Sequence, residues 1–345
     1  MSMLHASQVD DRPRLTTMPS TGGIMRWVII ATLPGLATMT FFFGLGVVSN
    51  VVLAAAFGLG LEALVLRLRQ RNLRPLNDAS ALLTGVLLGA SLPPASPWWL
   101  IGIGMVAAIV VAKHLYGGLG NNPFNPAMVG YALLLVSFPT YMTLWPTPQS
   151  LWPDTLVSQI MGITSLEQID SLSGATPLDA FKHKAEEVSA SQFWANPPLP
   201  RATLTAWEWI SAAWAVGGAL LLAKRLISWH IPVAMLGSMT AAAALLYLLN
   251  PDEAASLWLH LFTGATLFGA FFIATDPVSA ATSQRGKLIY GAGIGLLVIV
   301  IRTWGGYPDA VAFAVLLMNL CVPLLDIYTV PAATESQTAT GRAQP

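Results

Sequence analysis

Residues 126–135 read PAMVGYALLL, and residues 308–317 read PDAVAFAVLL. Counted from Pro126 and Pro308, valine falls at the third following position, an aromatic residue at the fifth, alanine at the sixth and leucine at the eighth and ninth. Gly117-Gly118 precedes the first copy and Gly305-Gly306 the second. Upstream, Thr84-Gly85 with Gly89-Ala90 is echoed by Thr263-Gly264 with Gly269-Ala270. The two offsets are 182 and 179 residues, so the register holds across half the chain. An internal duplication explains both pairs better than chance recurrence of Gly, Ala and Leu.

The chain between and around these copies is apolar. Of 345 residues, 54% are hydrophobic and 10% charged, against roughly 25% charged in soluble domains. Uncharged intervals run over Trp27–Leu61, Ala79–Ala112, Leu115–Pro153, Leu226–Asn250 and Ala254–Thr275. Each holds one or two membrane helices of about 20 residues. Ten spans are expected, near 24–43, 45–66, 79–95, 97–114, 126–145, 206–223, 231–249, 256–275, 288–302 and 307–325. The last two read as short, and the third, fifth, eighth and tenth as short or broken. The first apolar segment is too long for a cleaved signal and reads as a retained helix.

Alternating sides from the N-terminus puts 13 of the 17 Lys and Arg residues on one side and only Lys182, Lys184, Arg201 and Arg302 on the other. The positive-inside rule then places both termini in the cytoplasm, and the interval 146–205 outside. Trp98, Trp99, Trp145, Trp152, Trp207, Trp209, Trp258 and Trp304 fall near that outer boundary, as an aromatic belt would. Five helices per repeat is an odd number, so the halves have opposite orientation. The expected fold is an all-α polytopic membrane protein of about ten transmembrane helices. These form two inverted five-helix repeats, 24–145 and 206–326, with a periplasmic loop insertion at 146–205 and cytoplasmic tails at 1–23 and 327–345. Inverted repeats place their sites near the midplane, on interrupted helices.

Polar groups near the membrane are few. GGLGNNPFNP at 117–126 cannot continue a helix, and Asn125-Pro126 starts the next one, with Asn as N-cap and Pro in the first position. The turn reads either as a plain cytoplasmic connection or as a re-entrant element facing an ion or ligand path. Asn121, Asn122, Asn125, Asp276 and Asp309 are the candidates for such an ion or ligand path. Glu62, Asp78 and Asp326 also lie near span ends. His114 and His230 share a side, a coincidence rather than a haem site. The single thiol, Cys321, cannot alone hold an iron–sulfur cluster, and no metal site or acid–base catalytic set is read anywhere. Zero net charge argues against nucleic acid.

The longest polar interval contains SLSGATPLDA at 171–180, followed by a stretch to Ser189 that reads as a helix of about three turns. Thr176 is its N-cap, Pro177 its first residue and Asp179 its third, nearly a capping box. Free N–H groups and a positive dipole end there suit a phosphate, although an N-cap threonine needs no ligand to explain it.

SGATPL at 173–178, NPAMVGYALLL at 125–135, TDPVSAAT at 275–282 and GGYPDAVAFAVLLMN at 305–319 resemble the signature stretches of the RnfD family, the D-type membrane component of the Rnf electron-transport complex. That family is similar to the B-type membrane component of the sodium-translocating NADH:quinone reductase, and the resemblance runs from about residue 24 to 331. It implies FMN joined through a phosphoester to Thr176 by a flavin transferase, with Ser173, Gly174 and Ala175 as its approach. It also implies a six-subunit inner-membrane complex, set in lipid, that couples electron transfer between ferredoxin and NAD to Na⁺ or H⁺ movement. A second, non-covalent flavin such as riboflavin is in keeping with it, and the path candidates Asn121, Asn122, Asn125, Asp276 and Asp309 are then also candidates to meet that flavin. One departure is Asn77-Asp78-Ala79-Ser80, where Asp-Gly-Ser is expected; Ala79 matters if that turn is strained. The competing classes are a cofactor-free channel or secondary transporter built on inverted repeats, and an assembly scaffold.

Overall fold

The computed structural model describes residues 20–94, 96–148, 173–185, 187–307 and 309–329. Most of both expected tails, most of the first half of the 146–205 loop, and Pro308 lie outside these residues.

The described chain is almost entirely helical. Its first set comprises α1 (Thr21–Phe43), α2 (Gly46–Leu68), α3 (Ser80–Ser91), α4 (Trp98–Met105, continuing as a π-helix over Val106–His114) and α5 (Pro126–Ser137). A short α6 (Pro139–Thr143) leads into β1 (Trp145–Pro146), which pairs antiparallel with β2 (Ser173–Gly174). Two small helices follow, α7 (Pro177–Lys182) and α8 (Ala190–Ala195). The second set is α9 (Arg201–Ala223), α10 (His230–Leu249), α11 (Leu257–Phe262), α12 (Thr266–Phe268, continuing as a π-helix over Gly269–Ile273), α13 (Gln284–Trp304) and α14 (Val311–Thr329).

Six helices are long and apolar enough to cross a membrane: α1, α2, α9, α10, α13 and α14. The segments α3, α4 with its π-helical continuation, and α5 are shorter apolar helices. Two expected spans are interrupted. The one over 126–145 stops at Ser137 and resumes as α6, because Pro139 cannot donate to the ladder. The one over 256–275 breaks at Thr263–Ala265, where Gly264 takes φ +66°. The two expected to be short are not: α13 has 21 residues and α14 has 19, since α14 carries Pro323 without ending there.

Small residues let helices approach closely where no water-driven force assists. A Cβ on Gly89 of α3 would lie 2.7 Å from Val51 Cα of α2, and one on Gly295 of α13 would lie 2.2 Å from Met235 O of α10. The two sets meet at α5 and α14 through side-chain amides. The Asn125 amide donates to Asn319 Oδ1 (3.2 Å), and Asn125 Nδ2 donates to Ile273 O (3.3 Å). Asn319 Nδ2 donates in turn to Ser279 O and to the Tyr290 hydroxyl. Both asparagines are buried, so each bond replaces one that water cannot supply.

The α7 helix is shorter than its sequence suggests. It ends at His183 because Phe181 must meet Phe193 of α8 (centroids 5.4 Å), and the chain has to turn between them. Ser189 and Gln192 then close a capping box that starts α8 afresh.

Candidate functional site

Thr176 is the N-cap of α7: its Oγ1 accepts from the Asp179 amide at 3.2 Å. The β1–β2 pair, with Trp145 opposite Gly174, ties the approach to α7 back to the end of α6. At its other end α7 is held by Lys182, whose ammonium donates to Ile301 O (3.3 Å), Arg302 O (2.9 Å) and Tyr307 O (3.0 Å). The first two are carbonyls at the negative end of α13, which welcomes a cation, and the third lies in the turn just beyond it. Burial, and after it the Arg302 guanidinium, pull the Lys182 ammonium below its ordinary value, with Asp179 opposing.

Two cavities meet at Thr176. The wider, about 760 Å³, lies within the loop and is lined by Gly174, Ala175, Thr176, Asp179, His183, Pro198 and Trp207 among others. The narrower, about 110 Å³, reaches between helices and is walled by Met39, Met128, Tyr131, Trp145, Trp207, Trp214 and Phe268. Thr143, Trp145, Thr176, Asp179 and Trp207 border both. Trp145 and Trp207 stack edge-on at 5.2 Å and both contact Phe43, which fixes the partition between the cavities.

The floor of the narrower cavity carries Asp309. Its Oδ1 accepts from Arg302 Nη2 (3.1 Å) and the Ala310 amide (2.8 Å), and its Oδ2 from the Ala265 amide (2.8 Å). Arg302 also donates to His260 O and to Thr266 Oγ1. One guanidinium therefore ties α11, α12 and the start of α14 together.

A third cavity, about 30 Å³, lies where α3 meets the turn before α5, with Ser80, Thr84, Lys113, Asn122, Asn125 and Asp276 in its wall. Lys113 Nζ donates to Glu62 Oε1 (2.5 Å) and Ser80 Oγ (2.7 Å), and His114 Nε2 lies 3.2 Å from the same Glu62 oxygen.

Of the residues singled out from sequence, Gly174, Ala175 and Thr176 share the wide cavity. Ser173 takes part through its backbone pairing with Pro146. Asn122, Asn125 and Asp276 converge on the small cavity, while Asp309 belongs to the narrow one. Asn121 is exposed in the turn, its amide bonded to Gly118 O. His114 faces Glu62, and His230 stacks on Trp229. Lys182, Arg302, Lys113 and Asn319 were not singled out from sequence as site residues. A charged residue in the last turn of an otherwise apolar helix is the signal that would have flagged Lys113 and Arg302.

The chain matches the NQR2, RnfD, RnfE family over residues 8–335. It belongs to that family. Among its curated relatives, the D component of the ion-translocating oxidoreductase complex of Marinobacter nauticus is 53% identical over 319 residues, covering 90% of each chain. The proteins of the same description from Vibrio cholerae and Yersinia enterocolitica are each 48% identical, over 92% and 94% of this chain and 96% and 97% of their own. The described chain is mostly helical, and the narrower cavity borders both helix interruptions, through Met142 and Thr143 at one and Gly264 and Ala265 at the other.

The wide cavity fits a flavin nucleotide on Thr176. Its volume falls in the range of about 300–1,000 Å³ usual for ligand sites. Thr176 borders it, and the carboxylate beside it among the described residues, Asp179, lies 3.1 Å from His183 Nδ1.

Proposed function

We propose that this chain is the flavin-carrying membrane subunit of an ion-translocating oxidoreductase complex, with FMN esterified through its phosphate to Thr176 by a flavin transferase. The supporting observation is the place of Thr176, on a capped helix start at the meeting point of the loop and helix cavities. The relatives' shared description supports the complex. On this reading electrons pass between ferredoxin and NAD through a six-subunit assembly in the inner membrane, and their passage drives Na⁺ or H⁺ across it. The chain is not catalytic alone. Its two helix sets are inverted repeats, both termini are cytoplasmic and the Thr176 loop is periplasmic.

Bound FMN supplies one- and two-electron transfer. Thr176 serves as attachment point rather than acid, base or nucleophile in turnover. Lys182 and the β1–β2 pair fix where that point sits. Trp145 and Trp207 shield the helix cavity from the loop cavity, and the aromatic walls of the former suit a second, non-covalent flavin such as riboflavin. Asn122, Asn125 and Asp276 on one side, with Asp309 on the other, are the polar groups an ion would pass, and Asn121 stands at the mouth.

The test is fluorescence of the denatured, washed polypeptide after expression with the transferase. Wild type should retain covalent flavin and Thr176→Ala should lose it. A colourless wild type would favour a cofactor-free channel or transporter.

A further inference from the structure

The small cavity has features that nothing in the flavin reading uses. Asn122 is buried (4% exposed); its Nδ2 donates to Phe124 O, and its Oδ1, among the described residues, has no partner. A buried carbonyl oxygen left idle in a cavity wall is costly unless something meets it. Asp276 is also in the wall. Ser279 donates to its Oδ2 through both amide and hydroxyl, and Asp276 forms no ion pair among the described residues. Ser80 and Thr84 add hydroxyl oxygens. The lining is oxygen-rich, and about 30 Å³ is the room of one water or one dehydrated alkali ion.

The charge balance is specific. Lys113, also in the wall, is neutralised by Glu62, which is 1% exposed. That leaves Asp276 as the wall carboxylate with no cation beside it among the described residues, so one monovalent cation would neutralise its ionised form. The pairing is incomplete, since Glu62 Oε2 has no partner among the described residues. The Lys113–Glu62 pair is thus an adjustable charge beside the cavity. The π-helical last turn of α4 is what presents Lys113 and His114 together to Glu62.

We propose that the cavity where Asn122 and Asp276 meet Ser80 and Thr84 binds a monovalent cation, and that the Lys113–Glu62 pair sets its affinity. This deepens the ion-translocating reading and rests on it only for the class of cargo. Opposite shifts follow from the two single neutralisations. Lys113→Gln leaves the Glu62 carboxylate uncompensated behind the wall, adds its charge to that of Asp276 and tightens binding. Glu62→Gln leaves an unpaired ammonium beside it and weakens binding. Removing both restores the original balance.

The experiment titrates the purified full chain in detergent with sodium chloride, replaced by choline chloride at constant ionic strength, and reads melting temperature. Wild type should rise saturably. The half-saturating sodium concentration should fall about tenfold or more in Lys113→Gln and rise by as much in Glu62→Gln. It should return near wild type in the double variant, and the rise should vanish in Asn122→Ala. If Lys113→Gln does not fold, Glu62→Gln against the double variant still supplies the opposed comparison. No sodium-dependent rise in wild type, single variants shifting in the same direction, or an unchanged Asn122→Ala would each overturn the proposal. Covalent flavin is measured on the same samples. Thr176→Ala should lose flavin and keep the sodium midpoint. Flavin retained with no sodium response sinks this proposal alone; a sodium response without flavin sinks only the flavin reading.

Discussion

Each helix set buries a long cation, Lys113 in the last turn of the α4 π-helix and Arg302 in the last turn of α13, beside the start of a short helix, and the two are finished differently. Arg302 reaches the α12 threonine Thr266, the α11 carbonyl of His260 and the carboxylate of Asp309, which itself caps the start of α14. Lys113 reaches only Ser80 at the start of α3 and one oxygen of Glu62. The turns before those short helices match as well. Gly264 takes φ +66° before α12, and Ala79 takes φ +60° before α3. A planar fork that spans three elements makes a rigid corner. A point charge on one carboxylate oxygen, next to a cavity, makes an adjustable one. The Arg302 end is the braced one, and the Lys113 end, on the proposed reading, is the adjustable one.

The largest test of that division is Arg302→Leu. It strands Asp309 without its cation and removes the guanidinium's bonds to His260 O and Thr266 Oγ1, leaving those two groups only the bond between them. Loss of one partner of a buried pair costs about 3–5 kcal/mol. Thermal unfolding in micelles should show that loss, and Arg302→Lys should recover only part of it, because an ammonium cannot reproduce the fork. A cost under about 1 kcal/mol would erase the contrast with Lys113.

Gly264→Ala should come next, at about 2 kcal/mol. An added Cβ would stand 2.6 Å from Leu178 Cδ1 and 2.9 Å from Asp309 Oδ2, at a φ that alanine resists. Since Leu178 belongs to α7, the same substitution should disturb the Thr176 end, seen as altered fluorescence polarisation of the proposed Thr176-linked flavin. Lys182→Met removes three hydrogen bonds to the end of α13 and should cost about 1–2 kcal/mol. It should loosen α7 while leaving the sodium response of the small cavity unchanged. A moved sodium midpoint would mean that the two ends are coupled and not separate.

Much of this was legible in the letters. Seven of the ten expected spans begin within three residues of a helix, because uncharged runs and the Gly, Pro and Asn punctuation around them are local signals; the sixth, ninth and tenth, expected from 206, 288 and 307, begin at Arg201, Gln284 and Val311. Asn125 and Thr176 as N-caps followed from residue type and a proline one position on. The break at Thr263–Ala265 left a trace only in the repeat, and the ends of α7 and α13 left none. Those depend on Phe181 finding Phe193 and Lys182 finding carbonyls over a hundred residues away. The cavities depended most on tertiary placement: Asn122 and Asp276 are 154 positions apart and share a wall only because the turn before α5 reaches the end of the π-helix after α12.

The smallest expected effect is the most direct check that the two turns are equivalent. Ala79 sits at φ +60°, ψ +11°, where its methyl group crowds the backbone, and it is 8% exposed. Glycine adopts that conformation freely, which relieves about 1 kcal/mol. Against this stand the extra freedom of glycine in the unfolded chain and a lost buried methyl, so the net gain for Ala79→Gly is about 0.5 kcal/mol. The sign matters more than the size, because Gly264→Ala must go the other way. Asp78 already braces the turn, accepting from the Ser80 amide (2.7 Å) and hydroxyl (2.5 Å), and Ser80 in turn accepts from Lys113. Relaxing Ala79 should therefore leave the sodium midpoint in place while raising the melting temperature slightly. If Ala79→Gly instead destabilises, the methyl contact outweighs the backbone strain, and the α3 turn is held by packing where the α12 turn is held by conformation.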